Sequence, residues 1–232
     1  MGLPEVVSRE EWLVARKELL EKEKEVTKAR DEIAAERRRL PMVRVEKDYR
    51  FVGPEGERSI LDLFEGRRQL IVRHFMFGPE ATEGCIGCSM QADSVGELAH
   101  MWARDTTFVM VSLADQERLA AFKARMGWKI PWYTAVGEEF NRDYEVTTDQ
   151  GESPGVSAFV REGDQVFHTY SIFDRGGDIF KSFYNYLDIT VLGRQEEQLE
   201  HPWDWWRFKD SYEDLNAAGP GGNWWNGTRF QS

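Results

Sequence analysis

The sequence predicts an α/β fold: a central mixed sheet flanked by helices, with a long N-terminal helix before it and an aromatic-rich C-terminal tail after it. Two near-continuous apolar runs alternate with two helical patterns, which requires crossovers and therefore parallel strands. Two further runs, apolar at every second position, surround a Glu-Gly-Asp turn that is typical of an antiparallel hairpin. A Cys-x-x-Cys motif follows the first apolar run.

The composition narrows the class of protein. The 232 residues carry a net charge of -11 and include 41% hydrophobic and 13% aromatic residues, which is typical of a globular chain. Nucleic acid is not an expected partner, because affinity for phosphate backbones comes from clustered Lys and Arg. The sequence has neither a stretch of ~18 apolar residues nor a secretory signal pattern, so we expect a cytoplasmic protein with no membrane partner.

Residues 1–41 form the first of three predicted segments, a helical extension. Ser8 and Glu11 have the spacing of a capping box, and Pro41 ends the pattern. Apolar residues recur every seventh position, as a narrow stripe on a charged helix. That stripe is expected to pack on the body of the protein or on a partner helix in a homodimer.

Residues 42–200 form the second predicted segment. Extended chain is expected at 43–52, and the two buried strands come next. After them we expect a short extended stretch near 132–136, a turn or helix at 138–144, the hairpin and a last helix at 178–187. The two buried strands are predicted at 69–77 and 107–113, the helices between them and after them at 89–103 and 115–126, and the hairpin strands at 156–161 and 165–171. A parallel half, an antiparallel hairpin and a final helix, with Cys-x-x-Cys after the first buried strand, are typical of a thioredoxin-type fold.

Residues 201–232 form the third segment, a tail rich in Trp and Gly. Five of the nine tryptophans lie there, in one group at 203–206 and a second at 224–225. Large apolar rings are rare in disordered chain, so at least the first group is expected to pack on the body or on a neighbouring subunit. The tail is therefore a second candidate for a homodimer contact.

The two cysteines, Cys85 and Cys88, are the strongest chemical signal. A predicted helix N-terminus places free N–H groups and the aligned peptide dipoles at Cys85, which favours its thiolate. Cys88 lies one turn further and can attack a mixed disulfide formed at Cys85. The sequence therefore predicts a thiol-disulfide oxidoreductase in which Cys85 is the nucleophile and Cys88 resolves.

Metal binding is a second interpretation of the cysteine pair. Zinc is not expected, because no second cysteine pair exists and the histidines lack zinc-ligand spacing. Copper(I) suits two thiolates together with Met90 or His168, so a copper-binding protein or a copper-dependent redox enzyme is the alternative. In the first interpretation no cofactor is expected.

A peroxidase is a further alternative. Thr82 lies three residues before Cys85, which partly matches the Pro-x-x-x-Thr-x-x-Cys loop of peroxiredoxins, although Pro79 is one position off. Arg73 and Arg161 are the candidate arginines for such a site, although neither has a spacing from the cysteines that is characteristic of peroxiredoxins.

His168 is included among the candidate catalytic residues, as a base or as a group that stabilises the thiolate if it reaches Cys85. For His168 and for His74, a hydrogen-bonded position in the core is the alternative. A carboxylate near the inner thiol, such as Asp93, is also a candidate to relay its proton.

Several longer stretches carry a resemblance to a known family. These are SREEWL at 8–13, AAERRRLPMVRVEKDY at 34–49, FMFGPE at 75–80, GCIGCS at 84–89, RMGWKIPW at 125–132, EEFNRDY at 138–144, VFHTYS at 166–171 and YNYLDITVLGRQEE at 184–197. The chain resembles the bacterial thioredoxin-like family catalogued as domain of unknown function 899, which is related to the AhpC/TSA group. The resemblance implies a thioredoxin-like fold and a redox role, and it names no substrate.

The chain departs from the pattern of that family near the cysteines. Members usually have Cys-Pro-Ser-Cys, whereas Ile86 and Gly87 separate the cysteines here. Lys209 takes the place where similar proteins tend to have histidine, and Pro154 lies two residues before the position expected for a thioredoxin proline. The expected partners are protein or small-molecule thiols and disulfides, and a non-catalytic interaction protein is the hypothesis from a different class.

Overall fold

The structure is a computed structural model that describes residues 3–212. Within it the chain divides into two compact units, with the boundary between Val43 and Arg44. In the described part of the chain no helix combines the length and the apolar character needed to cross a membrane. The second tryptophan group of the tail lies outside the described residues.

The first unit contains helix α1 (Arg9–Arg37). The predicted capping box is present: the Ser8 amide donates to Glu11 Oε2 at 2.9 Å, and the Glu11 amide donates to Ser8 Oγ at 3.2 Å. Reciprocal bonds of this kind satisfy two N–H groups that the first turn leaves free. The packing of the apolar stripe stays a prediction, as does a homodimer formed through this helix.

The chain forms an eight-stranded sheet in the order β1-β10-β9-β4-β5-β6-β2-β3, and β7 and β8 form a separate pair. All of these strands except β1, which lies at the boundary, belong wholly to the second unit. The strands are β1 (Val43–Arg44), β2 (Arg50–Gly53), β3 (Gly56–Ser59), β4 (Gln69–His74), β5 (Thr106–Ser112), β6 (Trp132–Ala135), β7 (Thr147–Thr148), β8 (Gly151–Glu152), β9 (Gly155–Glu162) and β10 (Gln165–Phe173). Strand β4 is parallel to β5 and antiparallel to β9, and β10 is antiparallel to β9.

The helices of this unit follow the strands in the predicted alternation. They are α2 (Ile86–Asp93), α3 (Ala99–Trp102), α4 (Gln116–Met126), α5 (Glu139–Asp143) and α6 (Ser182–Asp188). The four central strands have the order β5-β4-β9-β10 in one sheet. They comprise a βαβ unit and an antiparallel hairpin, and with the closing helix they form a thioredoxin-type core. The predicted fold class is therefore confirmed.

Two predicted helices differ from the observed ones. The helix expected at 89–103 is divided into α2 and α3, because the segment between them contains Val95 and Gly96, two poor helix formers. Ser94 also donates its hydroxyl to the Met90 carbonyl as the first helix ends. The helix expected at 178–187 begins as a 3₁₀ segment, Asp174–Phe180, and continues as α6.

Two apolar cores cover opposite faces of the sheet. Side chains alternate along a strand, so Val109 and Val111 belong to one core while Met110, between them, belongs to the other. The core that contains Met110 also contains Cys88 and the rings of Phe75 and Trp132. The cysteine motif is thus anchored in the packed interior on one face of the sheet.

Candidate functional site

The cysteine motif lies where the chain leaves the end of β4 and enters α2. Cys85 is the N-cap residue of α2, in extended conformation with φ -60° and ψ 133°. Its amide donates to the Met76 carbonyl at 2.9 Å, and its carbonyl accepts the Ser89 amide at 2.9 Å. Cys85 is partly exposed, whereas Cys88, one turn further, is 1% exposed. An accessible sulfur therefore has a buried sulfur beside it.

The pKa values of the two thiols are shifted in opposite directions. The Cys88 thiol donates a hydrogen bond to the Cys85 sulfur, and this bond does most to lower the pKa of Cys85 to about 6. Cys85 makes no regular capping hydrogen bond. The N–H groups of Cys88 and Gly87 and the charge of Arg73 add weaker stabilisation of the thiolate. Burial raises the pKa of Cys88 well above its ordinary value, so Cys88 stays protonated.

Arg73 brings a buried positive charge to the sulfurs. It lies on β4, is 4% exposed, and donates from Nη1 to the Gly155 carbonyl at 2.9 Å. Its Nε is also buried and has no hydrogen-bond partner in the described part of the chain. The charge favours the thiolate of both cysteines. Of the two candidate arginines, the structure brings Arg73 to the cysteines, while Arg161 donates to backbone carbonyls of the 66–67 turn.

A cavity of about 310 Å³ opens in front of the pair. Cys85, Cys88 and Arg73 line it together with the start of β9, the end of β10 and the following 3₁₀ segment. Trp203 and Trp206 of the tail complete the wall. The tail thus helps to enclose the sulfurs, as a pocket for a small molecule requires.

Trp206 is held at this wall by three contacts. Its Nε1 donates to the Tyr184 hydroxyl at 3.0 Å, and Lys181 Nζ lies 3.9 Å from its ring centroid. The indole also lies directly against Gly87. Trp205 also donates to Glu196 at 2.9 Å, so Trp205 and Trp206 pack on the body as predicted for the first tryptophan group, whereas Trp203 is 55% exposed.

Glu152 is a second ionisable group near Cys85. It is partly buried at the end of β8, where burial raises the pKa of its carboxyl and the Phe77 amide opposes the shift. The negative charge of Cys85 raises that pKa further. The charged form of the carboxyl is therefore less favourable while the thiolate is present.

Three of the predicted site residues do not line the cavity. Thr82 is exposed in the loop before Cys85, and Met90 is buried in α2. His168 lies against the rings of Tyr144 and Phe159, in the core on the other face of the sheet.

His168 belongs to a hydrogen-bonded chain of four side chains. His168 Nε2 bonds Ser171 Oγ at 2.8 Å, Ser171 bonds Ser157 Oγ at 2.7 Å, and Ser157 bonds His74 Nε2 at 2.8 Å. Burial lowers the pKa of both histidines, that of His74 to about 3. Both histidines therefore occupy hydrogen-bonded positions in the core, which was the alternative to a catalytic role.

The remaining predicted groups have other partners. Asp93 accepts from Trp128 Nε1 at 2.7 Å and pairs with Lys209 at 2.8 Å. Pro154 lines the cavity just before β9. Residues 3–212 contain no group of three or more His, Cys, Asp or Glu side chains that could hold a metal ion. Copper binding stays a prediction, and Met90 and His168 are not brought to the cysteine cavity.

Lys181 was not predicted as a site residue, and Arg73 was a candidate only for a peroxidase site. A usable signal for Arg73 was a charge within the apolar run QLIVRHFMF, since a buried charge needs a partner. Lys181 lies within the last predicted helix, at 178–187, but the pattern of that helix does not indicate a contact with Trp206, which only the folded chain brings about.

Fold and site together define a thioredoxin-fold protein with a cysteine pair at the start of a helix and a cavity in front of it. The chain belongs to the family described as "Bacterial protein of unknown function (DUF899)", whose model matches residues 1–212. This match confirms the resemblance inferred from the sequence. No curated protein matches the chain.

Solved structures of peroxiredoxins are similar to the chain at low identity. Peroxidoxin BcpB from Mycobacterium tuberculosis is 15% identical with a TM-score of 0.46, and the match covers 62% of this chain and 94% of that one. Peroxiredoxin Q from Xanthomonas campestris is 12% identical with a TM-score of 0.44, over 63% and 92% of the two chains. The mitochondrial 2-Cys peroxiredoxin from Plasmodium falciparum is 8% identical with a TM-score of 0.41, over 65% and 92%.

Proposed function

We propose that this protein is a thiol-disulfide oxidoreductase in which Cys85 attacks and Cys88 resolves. The observation that carries the proposal is the placement of the two cysteines on one cavity wall, with Cys85 partly exposed at the start of α2 and Cys88 buried one turn further. With a pKa of about 6, Cys85 is mostly thiolate at neutral pH, and the thiolate is the nucleophile in disulfide exchange. We place the reaction in the cytoplasm, where thiols are kept reduced.

The reaction proceeds in two exchanges. The Cys85 thiolate attacks one sulfur of a substrate disulfide, so the substrate S–S bond breaks, one thiolate leaves and a mixed disulfide forms at Cys85. Cys88 then loses its proton to the departing thiolate and attacks the Cys85 sulfur, which releases the second substrate thiolate. The substrate gains two electrons, the pair becomes the Cys85–Cys88 disulfide, and a separate dithiol reductant must restore it.

Equilibration with graded mixtures of reduced and oxidised dithiothreitol tests this proposal. The free thiols are alkylated in denaturant and counted by intact mass, for the native protein and for Cys85→Ser and Cys88→Ser. Both native thiols should disappear together in one reversible two-electron transition, and neither variant should show it. Mixtures of reduced and oxidised glutathione cover pairs that are too oxidising to respond to dithiothreitol, and a native protein that keeps both thiols in fully oxidised glutathione as well would refute the proposal.

Peroxide reduction is the second candidate, favoured by the position of Arg73 beside Cys85. There the thiolate would attack the O–O bond, giving a sulfenic acid at Cys85 and releasing an alcohol or water. Cys88 would then condense with it, forming the disulfide and a second water. Stoichiometric loss of hydrogen peroxide under single turnover, faster than its loss with free dithiothreitol at the same thiolate concentration, distinguishes this activity.

A further inference from the structure

Basic side chains outnumber acidic ones around the cavity, whereas acidic residues outnumber basic ones in the protein as a whole. The chain has a net charge of -11, yet three cationic and two acidic side chains line the cavity. The cationic residues are Arg73, Arg175 and Lys181, and the acidic ones are Asp174 and Asp178. Once Cys85 carries no charge, the cations outnumber the carboxylates by one, which favours an anion in this cavity of an otherwise acidic protein.

Arg73 is the least neutralised of these cations. One nitrogen bonds the Gly155 carbonyl, Nε has no partner among the described residues, and the side chain is 96% buried, since the residue is 4% exposed. Lys181, in contrast, pairs with Asp178 at 3.1 Å and lies over Trp206. A buried guanidinium with open donors is costly unless an anion pairs with it.

The Cys85 thiolate is the anion beside Arg73 in the reduced protein, and catalysis removes it. Once Cys85 is part of a mixed disulfide, its sulfur carries no charge and Arg73 loses that counter-ion. An acidic group on the bound substrate would then replace it. Such a contact strengthens as the thiolate is consumed, so it favours the reaction and not merely the binding.

The remaining wall sets the size and shape of the ligand. The volume of about 310 Å³ is at the lower end of small-molecule sites, and apolar groups such as Ile172, Phe173 and Trp206 face it. Trp203 and Trp206 of the tail form part of the wall and narrow the space in front of the sulfurs, which favours a small molecule over a folded protein.

We infer that the substrate is the disulfide of a small thiol that carries a carboxylate, and that Arg73 binds this carboxylate while Cys85 attacks the disulfide. The inference rests on the proposed function and adds its substrate class. Arg73 thereby becomes a specificity-determining residue as well as a group that favours the thiolate.

Three disulfides of similar size test the inference: 3,3'-dithiodipropionic acid, its diamide and the cationic cystamine. The rate constant for oxidation of the Cys85–Cys88 pair is measured under single turnover. Each value is divided by the rate constant of the same disulfide with free dithiothreitol, which removes differences in intrinsic reactivity. In the native protein the diacid should react at least about 10-fold faster than the diamide, as expected for a charge-assisted hydrogen bond, with cystamine slowest.

Arg73→Gln should reduce the diacid-to-diamide ratio to about one. Its effect on the thiolate slows both reactions and therefore cancels from the ratio. Arg73→Lys should retain part of the preference, and Arg161→Gln, which removes the same charge from β9 outside the cavity, should leave the ratio unchanged.

A ratio of about one in the native protein overturns the inference, and this result needs no variant to fold. A ratio that survives in Arg73→Gln overturns the role of Arg73. Equal reaction with all three disulfides leaves the proposed oxidoreductase standing and removes only the substrate class. If none of them oxidises a pair that does equilibrate with a redox buffer, the substrate class is overturned, whereas a pair that also fails to equilibrate with the buffer overturns the proposed function itself.

Discussion

The indole of Trp206 lies so close to Gly87 that a Cβ atom on Gly87 would come within 2.6 Å of Trp206 Cζ3. Gly87 is one of the two residues between the cysteines, and Trp206 belongs to the tail. The close approach links the conformation of the tail to the loop that carries the sulfurs. It also explains why a residue without a side chain suits position 87, because a Cβ atom there would collide with the indole.

Gly87→Ala should displace Trp206 from the cavity wall. The ring is anchored by Tyr184 and Lys181 and has little freedom to move aside, so we expect a loss of about 1–3 kcal/mol of unfolding free energy. Urea unfolding measures the loss, and tryptophan emission should shift to the red. Gly96→Ala is the matched control, because a Cβ there meets no atom within 4 Å. Equal effects of the two substitutions would contradict the described contact.

Lys181→Met should loosen the same wall from the other side. The substitution keeps an apolar side chain of similar length but removes the cation that lies 3.9 Å from the Trp206 ring centroid and pairs with Asp178. We expect a loss of about 1–2 kcal/mol, measured by urea unfolding. Lys209→Met is the control, since that lysine is half exposed and lies 5.8 Å from the centroid of Trp128. A loss no larger than that of the control would show that Lys181 does not anchor the tail.

The sequence was sufficient to predict the fold because its signals are local. The apolar runs that became β4 and β5, the helical pattern that became α4 and the Glu-Gly-Asp turn of the hairpin each lie within a short window. The position of Cys85 at the start of a helix followed from the same local order. Patterns of this range do not depend on knowing the tertiary contacts.

The walls of the site could not be predicted in the same way. Arg73, Lys181 and Trp206 are far apart in the chain. They meet only because β4, the segment before α6 and the tail converge at one end of the central strands. The pairing of His168 with Ser171 and its packing on the other face likewise depend on the order of strands. These relationships are tertiary and leave no short-range signal.

The chain of hydrogen bonds between His74 and His168 should support stability and not the chemistry of Cys85. Ser157→Ala removes the partner of a fully buried imidazole nitrogen, so we expect a loss of about 1–3 kcal/mol by urea unfolding. The rate of Cys85 alkylation should not change, and the same holds for His168→Gln. An altered pH profile of alkylation in either variant would show that the histidines act on Cys85. Ser211→Ala, at an exposed serine, is the stability control.

His74 also predicts a loss of stability in acid. Burial lowers its pKa in the folded protein to about 3, whereas an unfolded histidine has a pKa of about 6.5. Below about pH 6.5 the unfolded chain therefore binds the proton more readily, and the unfolding free energy falls as the pH drops towards 3. His74→Gln should flatten this dependence in urea unfolding series between pH 7 and pH 4. An unchanged slope would mean that His74 titrates normally in the folded chain.

The central claim, that the Cys88 thiol holds Cys85 as a thiolate, is tested most directly by the pH dependence of Cys85 alkylation with iodoacetamide. The rate in the native reduced protein should rise to half its maximum near pH 6. In Cys88→Ala the midpoint should move up towards the ordinary cysteine value of about 8.5, and in Arg73→Gln it should move up by less. A native midpoint near 8.5, or a midpoint that Cys88→Ala leaves in place, would contradict the account.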